Sequence, residues 1–200
     1  MNRTLKLLIA SDSLVFSGIG LISPILAIFI TGSLQGTLTA VGIATAIFLI
    51  VRVILQLIFS KVFNPKDRFW MVVCGTFMIA IVPFIYLSCN SVGHLYLAQV
   101  VYGAGAGLAW PAWFSLFASN LTKGREGTEW SVYSAFVAGG TGATAYFGSL
   151  LAEKIGFNFV FVLAGCISIA GMIILLGLQK ENLKKILPSE IFVAKHKPHN

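Results

Sequence analysis

Charged residues divide this chain into long uncharged segments, and these segments constrain its fold most. Four stretches without Asp, Glu, Lys or Arg cover residues 13–51, 69–122, 130–152 and 155–179. A helix needs about 20 predominantly apolar residues to cross the hydrocarbon core of a bilayer. The first two stretches are long enough for two such helices each, and the last two for one each. The sequence therefore predicts an all-α integral membrane protein with six transmembrane helices.

The composition excludes other classes of protein. Hydrophobic side chains make up 57% of the 200 residues and charged ones 10%, against about 45–50% and about 25% in soluble domains. The net charge of +7 does not indicate a nucleic-acid partner, because the basic residues are not gathered in one patch. The three cysteines lie far apart in or beside apolar segments, so we expect no metal site and no cofactor.

Turn-forming residues place the six spans at about 5–30, 37–60, 69–88, 94–119, 128–152 and 156–179. Residues 1–180 are therefore expected to form one transmembrane domain and residues 181–200 a tail. Of the 14 Lys and Arg residues, 12 fall on the side of the membrane that holds both termini. The positive-inside rule then predicts cytoplasmic termini, a cytoplasmic tail and a location in the plasma or inner membrane.

An internal repeat relates the first span to the fourth. Residues 18–24 (GIGLISP) and 105–111 (GAGLAWP) share the pattern G-x-G-L-x-x-P. The two spans run in opposite directions, so the match predicts an inverted repeat of two three-helix units, although Gly and Pro are common enough in membrane helices to produce it by chance. Kinks or close packing are expected at Gly18, Gly20, Pro24, Gly105, Gly107 and Pro111, and a stripe of small residues on the fifth span includes Gly140, Thr144 and Gly148.

Two charged residues lie deep inside predicted spans, away from the span ends. Asp12 and Arg52 are at similar depths on consecutive antiparallel helices. A charge in the bilayer core costs about 2.5–3.5 kcal/mol, so an ion pair between the two is expected. The pair is either a coupling or gating element or a permanent structural contact, and separate snorkelling of each side chain is a further alternative.

Further candidates for solute binding or coupling are polar and aromatic side chains on the second and fourth spans. They are Gln56, Gln99, Tyr102, Trp110 and Trp113, and Tyr133 on the fifth span is an additional one. A tryptophan pair beside Pro111 is suited to form the wall of a cavity for an organic solute. The alternative is that both tryptophans only pack or anchor the helix at the membrane interface.

Catalysis is not expected. The chain has no G-x-S-x-G nucleophile elbow, no histidine in the interior of a span and no H-E-x-x-H zinc motif. The run Gly103-x-Gly105-x-Gly107 follows no strand and lacks the lysine of a nucleotide-binding loop. The chain is therefore predicted not to be an enzyme.

The sequence resembles one half of a major facilitator superfamily transporter over roughly residues 5–180. The glycine-rich segment ending in Pro24 is similar to the first-helix pattern of that family, and residues 97–105 are similar to its fourth-helix motif, with Gln99 where an arginine is usual. Ser60-x-x-x-Asn64 followed by Lys66 and Arg68 stands where the family has Gly-x-x-x-Asp and basic residues. Thr144-Ala145 occupies the place of the Gly-Pro pair of antiporters.

The resemblance implies secondary-active transport of a small organic solute by alternating access. Because the family normally has twelve spans in two halves, it also implies a second six-helix unit, most simply a second copy in a homodimer. The second and fifth helices would then lie at the interface, the first and fourth around the cavity and the third and sixth outside. The alternative is a non-transporting membrane subunit, or a half that needs a different six-helix partner.

Overall fold

The computed structural model describes the backbone of residues 1–62 and 68–194 and the side chains of residues 1–61 and 68–178. Asn64 and Lys66 of the predicted loop motif lie outside the described residues, and so do residues 195–200 of the predicted tail. Six long helices account for most of the chain: α1 (Arg3–Ile22), α2 (Leu38–Val62), α3 (Arg68–Leu87), α4 (Val92–Asn120), α5 (Glu126–Lys154) and α6 (Phe157–Ala194). Regular structure in the described ranges is helical only, so the fold is all-α.

Helix α1 begins and ends where its side chains require. The Asn2 side chain accepts a hydrogen bond from the Leu5 backbone N–H at 2.7 Å and caps the first turn. The helix ends at Ile22, just before Pro24, which has no backbone N–H to donate. One helical turn at Leu26–Ile28 and a π-helical turn at Phe29–Ser33 follow. The first predicted span, at about 5–30, is therefore not one continuous helix, because it is interrupted at residues 23–25, where a kink is expected at Pro24.

Five of the long helices are long and apolar enough to cross a membrane: α1, α2, α3, α4 and the segment Phe157–Leu178 of α6. The fifth predicted span corresponds to α5, which has 29 residues and is therefore long enough. It does not reach the same hydropathy, because glycine, serine and threonine recur along it. Its membrane crossing stays a prediction. The small-residue composition of α5 is better suited to packing against another helix than to facing lipid.

Helix neighbours follow the symmetry that an inverted repeat requires. The principal neighbours of α1 are α6 and α5, and those of α4 are α3 and α2. Exchanging α1 with α4, α2 with α5 and α3 with α6 converts one set of neighbours into the other. The remaining large contact joins α3 to α6 and maps onto itself. Each three-helix unit therefore packs mainly against the other unit rather than within itself.

The glycines of the G-x-G-L-x-x-P repeat occupy matching places in this arrangement. A Cβ built on Gly18 would lie 2.7 Å from the Ala164 carbonyl oxygen of α6, and one on Gly105 would lie 2.8 Å from the Gly75 carbonyl oxygen of α3. The second glycines face the other neighbour, because Gly20 lies against α5 and Gly107 against α2. In both units the first glycine thus admits the third helix of the opposite unit and the second glycine admits its second helix.

Helices α2 and α5 leave most of their surface uncovered. Only Glu129 and Gly148 are buried on α5, and large side chains such as Phe136 and Tyr146 are 61% and 67% exposed. Within the described part of the chain, α2 likewise buries only Ala40 and Ala44. The core instead lies around α1, α3, α4 and α6.

Candidate solute-binding site

A cleft beside Asp12 lies between the helices and has about 550 Å³ of empty space, which includes open solvent. Its side chains include Asp12, Phe16 and Ile19 of α1, Thr76 of α3, Tyr102, Trp110 and Trp113 of α4, and Tyr133 of α5. On α1 the lining residues recur three and four positions apart, so one face of the helix borders the cleft. The Asp12 cleft is thus an aromatic-walled space with one carboxyl group.

Asp12 is hydrogen-bonded across the cleft. The Tyr133 hydroxyl of α5 donates to an Asp12 carboxyl oxygen at 2.7 Å. This contact joins α1 to α5, the helix with only two buried residues. An acidic group that lines a cleft in a membrane protein is suited to bind a proton or a cationic group.

Arg52 does not form the predicted ion pair with Asp12. Its guanidinium carbon lies 4.0 Å from the ring centroid of Trp110 and 6.0 Å from that of Phe48. The side chain is half-buried, and its Nε is buried without a hydrogen-bond partner. A cation over an indole face is stabilised by the ring quadrupole, so the aromatic ring replaces the expected carboxylate as the neighbour of Arg52.

Trp110 and Trp113 occupy different environments. The Trp110 ring lies 6.2 Å from Phe16 of α1, so it is located between α1 and the Arg52 side chain of α2. Trp113 is only 5% exposed and packs on Phe117 at 4.8 Å and on Tyr133 at 4.7 Å. Its indole N–H is buried with no partner. Both rings border the Asp12 cleft.

A second cleft lies farther from the chain termini, around Pro83. It is bordered by Ser23 and Leu26, which flank the break after α1, and by Tyr86. Ile19, Ile79 and Tyr102 border both clefts. The Tyr102 ring stacks on Phe48 at 4.2 Å, which makes this shared layer a packed apolar partition.

Two predicted candidates lie away from the Asp12 cleft. Gln99 is buried and donates a hydrogen bond to the Tyr86 hydroxyl at 3.0 Å, where it joins α4 to α3. Gln56 is half-buried on α2, and its backbone nitrogen lies 3.2 Å from a Cβ built on Gly107. Neither side chain borders this cleft.

The sequence reasoning did not identify Phe16, Thr76 or Tyr86. The position of Phe16 in the cleft could have been predicted, since Phe16 follows Asp12 by four residues and therefore lies on the same helix face. The positions of Thr76 and Tyr86 could not, because the rotation of α3 is set by its packing against α4. No group of three or more His, Cys, Asp or Glu residues is suitably placed for a metal ion in the described ranges.

Comparison with known proteins assigns the family of this helical, cleft-containing membrane protein. The family model of the Major Facilitator Superfamily matches residues 8–196. The chain belongs to the Major Facilitator Superfamily. It is 25% identical over 160 residues to an uncharacterized MFS-type transporter of Methanocaldococcus jannaschii, covering 78% of this chain and 40% of the relative. It is 22% identical over 173 residues to quinolone resistance protein NorA of Staphylococcus aureus, covering 86% and 44%.

Membership of the Major Facilitator Superfamily gives the fold a function class. The chain is a multi-pass membrane protein of a transporter family. It spans less than half of the length of the two relatives. The matched region has the length of one six-helix half of a superfamily transporter.

Proposed function

We propose that this chain is one half of a secondary-active transporter that moves a small organic solute by alternating access. The observation that carries the proposal is the Asp12 cleft, because a cleft with aromatic walls and few polar groups is typical of sites for organic ligands. Trp110, Trp113 and Tyr102 are proposed to bind the solute. Asp12 is proposed to couple its movement to an ion or proton. The proposal assigns no chemical reaction to the chain.

The two clefts support alternating access. Asp12 is nine residues after the start of α1, or about 14 Å along the helix axis, whereas Ser23 lies beyond the end of the helix. The clefts are therefore at different depths, and the layer of Ile19, Ile79 and Tyr102 borders both of them. A solute that passes from one cleft to the other has to displace this layer. Movement of α1 against α4 is proposed to do so.

The second six-helix unit is proposed to be another copy of this chain. The exposed faces of α2 and α5 support this, since they are the two helices that the family architecture puts between halves. The halves of the superfamily are related by an axis along the membrane normal, so a two-fold homodimer reproduces their arrangement. Both termini are proposed to be cytoplasmic, in the plasma or inner membrane, as the distribution of Lys and Arg predicts.

A different six-helix partner is the second candidate arrangement. It is favoured by the short coverage of the relatives, which leaves more than half of their length unmatched. In that arrangement the chain alone transports nothing, and transport requires the second unit. Co-purification of an unrelated six-helix protein with stoichiometric yield would support it.

Reconstitution of the purified chain tests the proposed function. Proteoliposomes are incubated with each of a panel of small aromatic solutes, and saturable uptake above that of protein-free liposomes is expected. Asp12→Asn keeps the size of the side chain but removes its charge, so coupled uptake is expected to fall about tenfold or more. Glu153→Gln, at the exposed far end of α5, is the matched control. Uptake that is equal in wild type and Asp12→Asn would contradict the role of Asp12.

A further inference from the structure

Arg52 is a cation that forms no ion pair with any described residue. Its guanidinium has five N–H donors, and the buried one on Nε has no hydrogen-bond partner among the described residues. Its guanidinium carbon lies 4.0 Å from the centroid of the Trp110 ring and 6.0 Å from that of Phe48. A buried donor that stays unsatisfied costs free energy, and a charged one costs more. The site is therefore incomplete as it stands.

The four acids with described side chains do not complete it. Asp12 is engaged by the Tyr133 hydroxyl. Glu129 is engaged by the Met1 ammonium group at 3.3 Å and by the backbone N–H and hydroxyl of Thr122 at 2.7 and 2.8 Å. The other two acids with described side chains, Glu126 and Glu153, are exposed at opposite ends of α5. None of the four reaches Arg52.

The position of Arg52 also argues against a lipid headgroup. It lies ten residues before the end of α2, or about 15 Å along the helix axis. Trp110 lies ten residues before the end of α4, which runs in the same direction, so the guanidinium rests on a ring at about its own depth. A snorkelling arginine would instead extend toward the helix end.

The surroundings fit a planar organic anion. Trp110 borders the Asp12 cleft, and Tyr102, which also borders it, stacks on Phe48 one turn before Arg52 on α2. Arginine presents a rigid fork that matches the two oxygens of a carboxylate. An aromatic group in the cleft would pack on Trp110 and Tyr102 while its carboxylate extended past Trp110 toward Arg52, which is partly exposed and lies 4.0 Å from that ring.

We propose that Arg52 and Trp110 form a carboxylate-binding position at the edge of the Asp12 cleft, and that the solute is an aromatic carboxylate. That the bound carboxylate is a transported solute rests on the proposed function, but its binding requires no transport. A solute and an acidic residue of the second six-helix unit could each supply a carboxylate to Arg52. We assign the carboxylate to the solute. If that unit is a copy of this chain, its membrane acid is Asp12, which its own Tyr133 already engages.

Equilibrium dialysis in nanodiscs tests the inference with tritiated phenylpropionate, the neutral phenylpropanol and the cationic phenethylamine. Wild type is expected to bind phenylpropionate about tenfold or more tightly than phenylpropanol. Arg52→Gln is expected to weaken the binding of phenylpropionate about tenfold or more and to change the affinity for phenylpropanol by less than about twofold. Arg52→Lys retains the charge without the planar fork, so an intermediate loss is expected. Lys61→Gln, which removes a charge from the end of the same helix, is expected to leave all three probes unchanged.

Three results would overturn the inference. Equal binding of phenylpropionate and phenylpropanol by wild type would exclude a carboxylate-binding position. An equal loss of affinity for all three probes in Arg52→Gln would mean that Arg52 only packs. If Arg52→Gln binds phenylpropionate as wild type does and the dimer dissociates, the anionic partner of Arg52 belongs to the second six-helix unit. If Arg52→Gln fails to elute as a folded species, Arg52→Lys decides between these results. Arg52-dependent binding without uptake in liposomes would contradict the proposed transport and leave this inference intact.

Discussion

Each of the two membrane charges has an aromatic side chain as its partner. Asp12 accepts a hydrogen bond from Tyr133, and Arg52 rests on Trp110. An ion pair between them would have satisfied both groups and left neither available to a ligand. A tyrosine hydroxyl and an indole face lower the cost of burial less completely. The arrangement therefore leaves the Asp12 carboxyl group and the Arg52 guanidinium without an ionic partner among the described residues.

Loss of the Tyr133 hydroxyl is predicted to destabilise the fold. Tyr133→Phe removes the 2.7 Å hydrogen bond and leaves the Asp12 carboxyl group in the cleft without a protein donor. The free energy of unfolding in detergent, measured by titration with a denaturing surfactant, is expected to fall by about 1 to 3 kcal/mol. Tyr146→Phe is the control on the same helix, because that side chain is 67% exposed. Equal stability of the two variants would contradict the prediction.

The residues of the site were partly predictable from sequence. A charge within an apolar segment is conspicuous, so Asp12 and Arg52 were identified, and so were Trp110 and Trp113. Their partners were not predicted correctly, because consecutive helices were assumed to be neighbours. The principal contacts of α1 are instead with α5 and α6, and this brings Tyr133 rather than Arg52 to Asp12.

At the scale of the helices, the G-x-G repeat explains how the two units interlock. Helix α1 approaches α6 at Gly18 and α5 at Gly20, and α4 approaches α3 at Gly105 and α2 at Gly107. Membrane helices gain little from the hydrophobic effect on association, so close approach and the dispersion contacts that it permits hold them together. The repeat is therefore a packing device used twice in opposite orientations.

Gly18→Ala and Gly105→Ala are predicted to destabilise the fold to a similar extent. Each new Cβ would lie within 3 Å of a backbone carbonyl oxygen of the facing helix, which cannot move aside as a side chain can. A loss of about 1 to 3 kcal/mol in the free energy of unfolding is expected for each.

Gly177→Ala is the control for this pair. Gly177 lies on α6 with nothing within 4 Å of a built Cβ, so alanine there is expected to be neutral or to stabilise by up to about 1 kcal/mol. A clear loss at only one of the two repeat positions would contradict the equivalence of the two units.

At the scale of the whole molecule, the exposed faces of α2 and α5 are the main feature left without a partner. Gly127, Gly139 and Gly142 of α5 all have open space where a Cβ would be. A helix rich in small residues is well suited to pack against another helix and poorly suited to face lipid alone. The face of α5 therefore supports the proposal that a second six-helix unit covers it.

Cysteine cross-linking is predicted to trap that second unit. Gly142 is 16 residues from the start of α5 and Ala46 is 16 residues from the end of α2. The start of α5 and the end of α2 are both on the predicted cytoplasmic side, so the two residues lie at the same depth, about 24 Å from that side. Ala46→Cys combined with Gly142→Cys, with Cys74, Cys89 and Cys166 replaced, is expected to give a covalent dimer on oxidation in native membranes.

The matched control combines Ala46→Cys with Ile173→Cys. Ile173 is 60% exposed on α6, which the family architecture puts outside the interface, so only monomer is expected. Monomer in both variants, at a protein density at which the wild type is folded, would contradict the homodimer.

The sequence alone determined the class of the molecule, and the tertiary structure determined its site. Burial of apolar segments in a bilayer depends on composition and length, which are local properties, so the all-α membrane fold and the inverted repeat could be predicted from the chain. The partners of Asp12 and Arg52 depend on which helices are adjacent and how each is rotated. Those choices are made by close packing at glycines between segments far apart in sequence, and only the assembled helices reveal them.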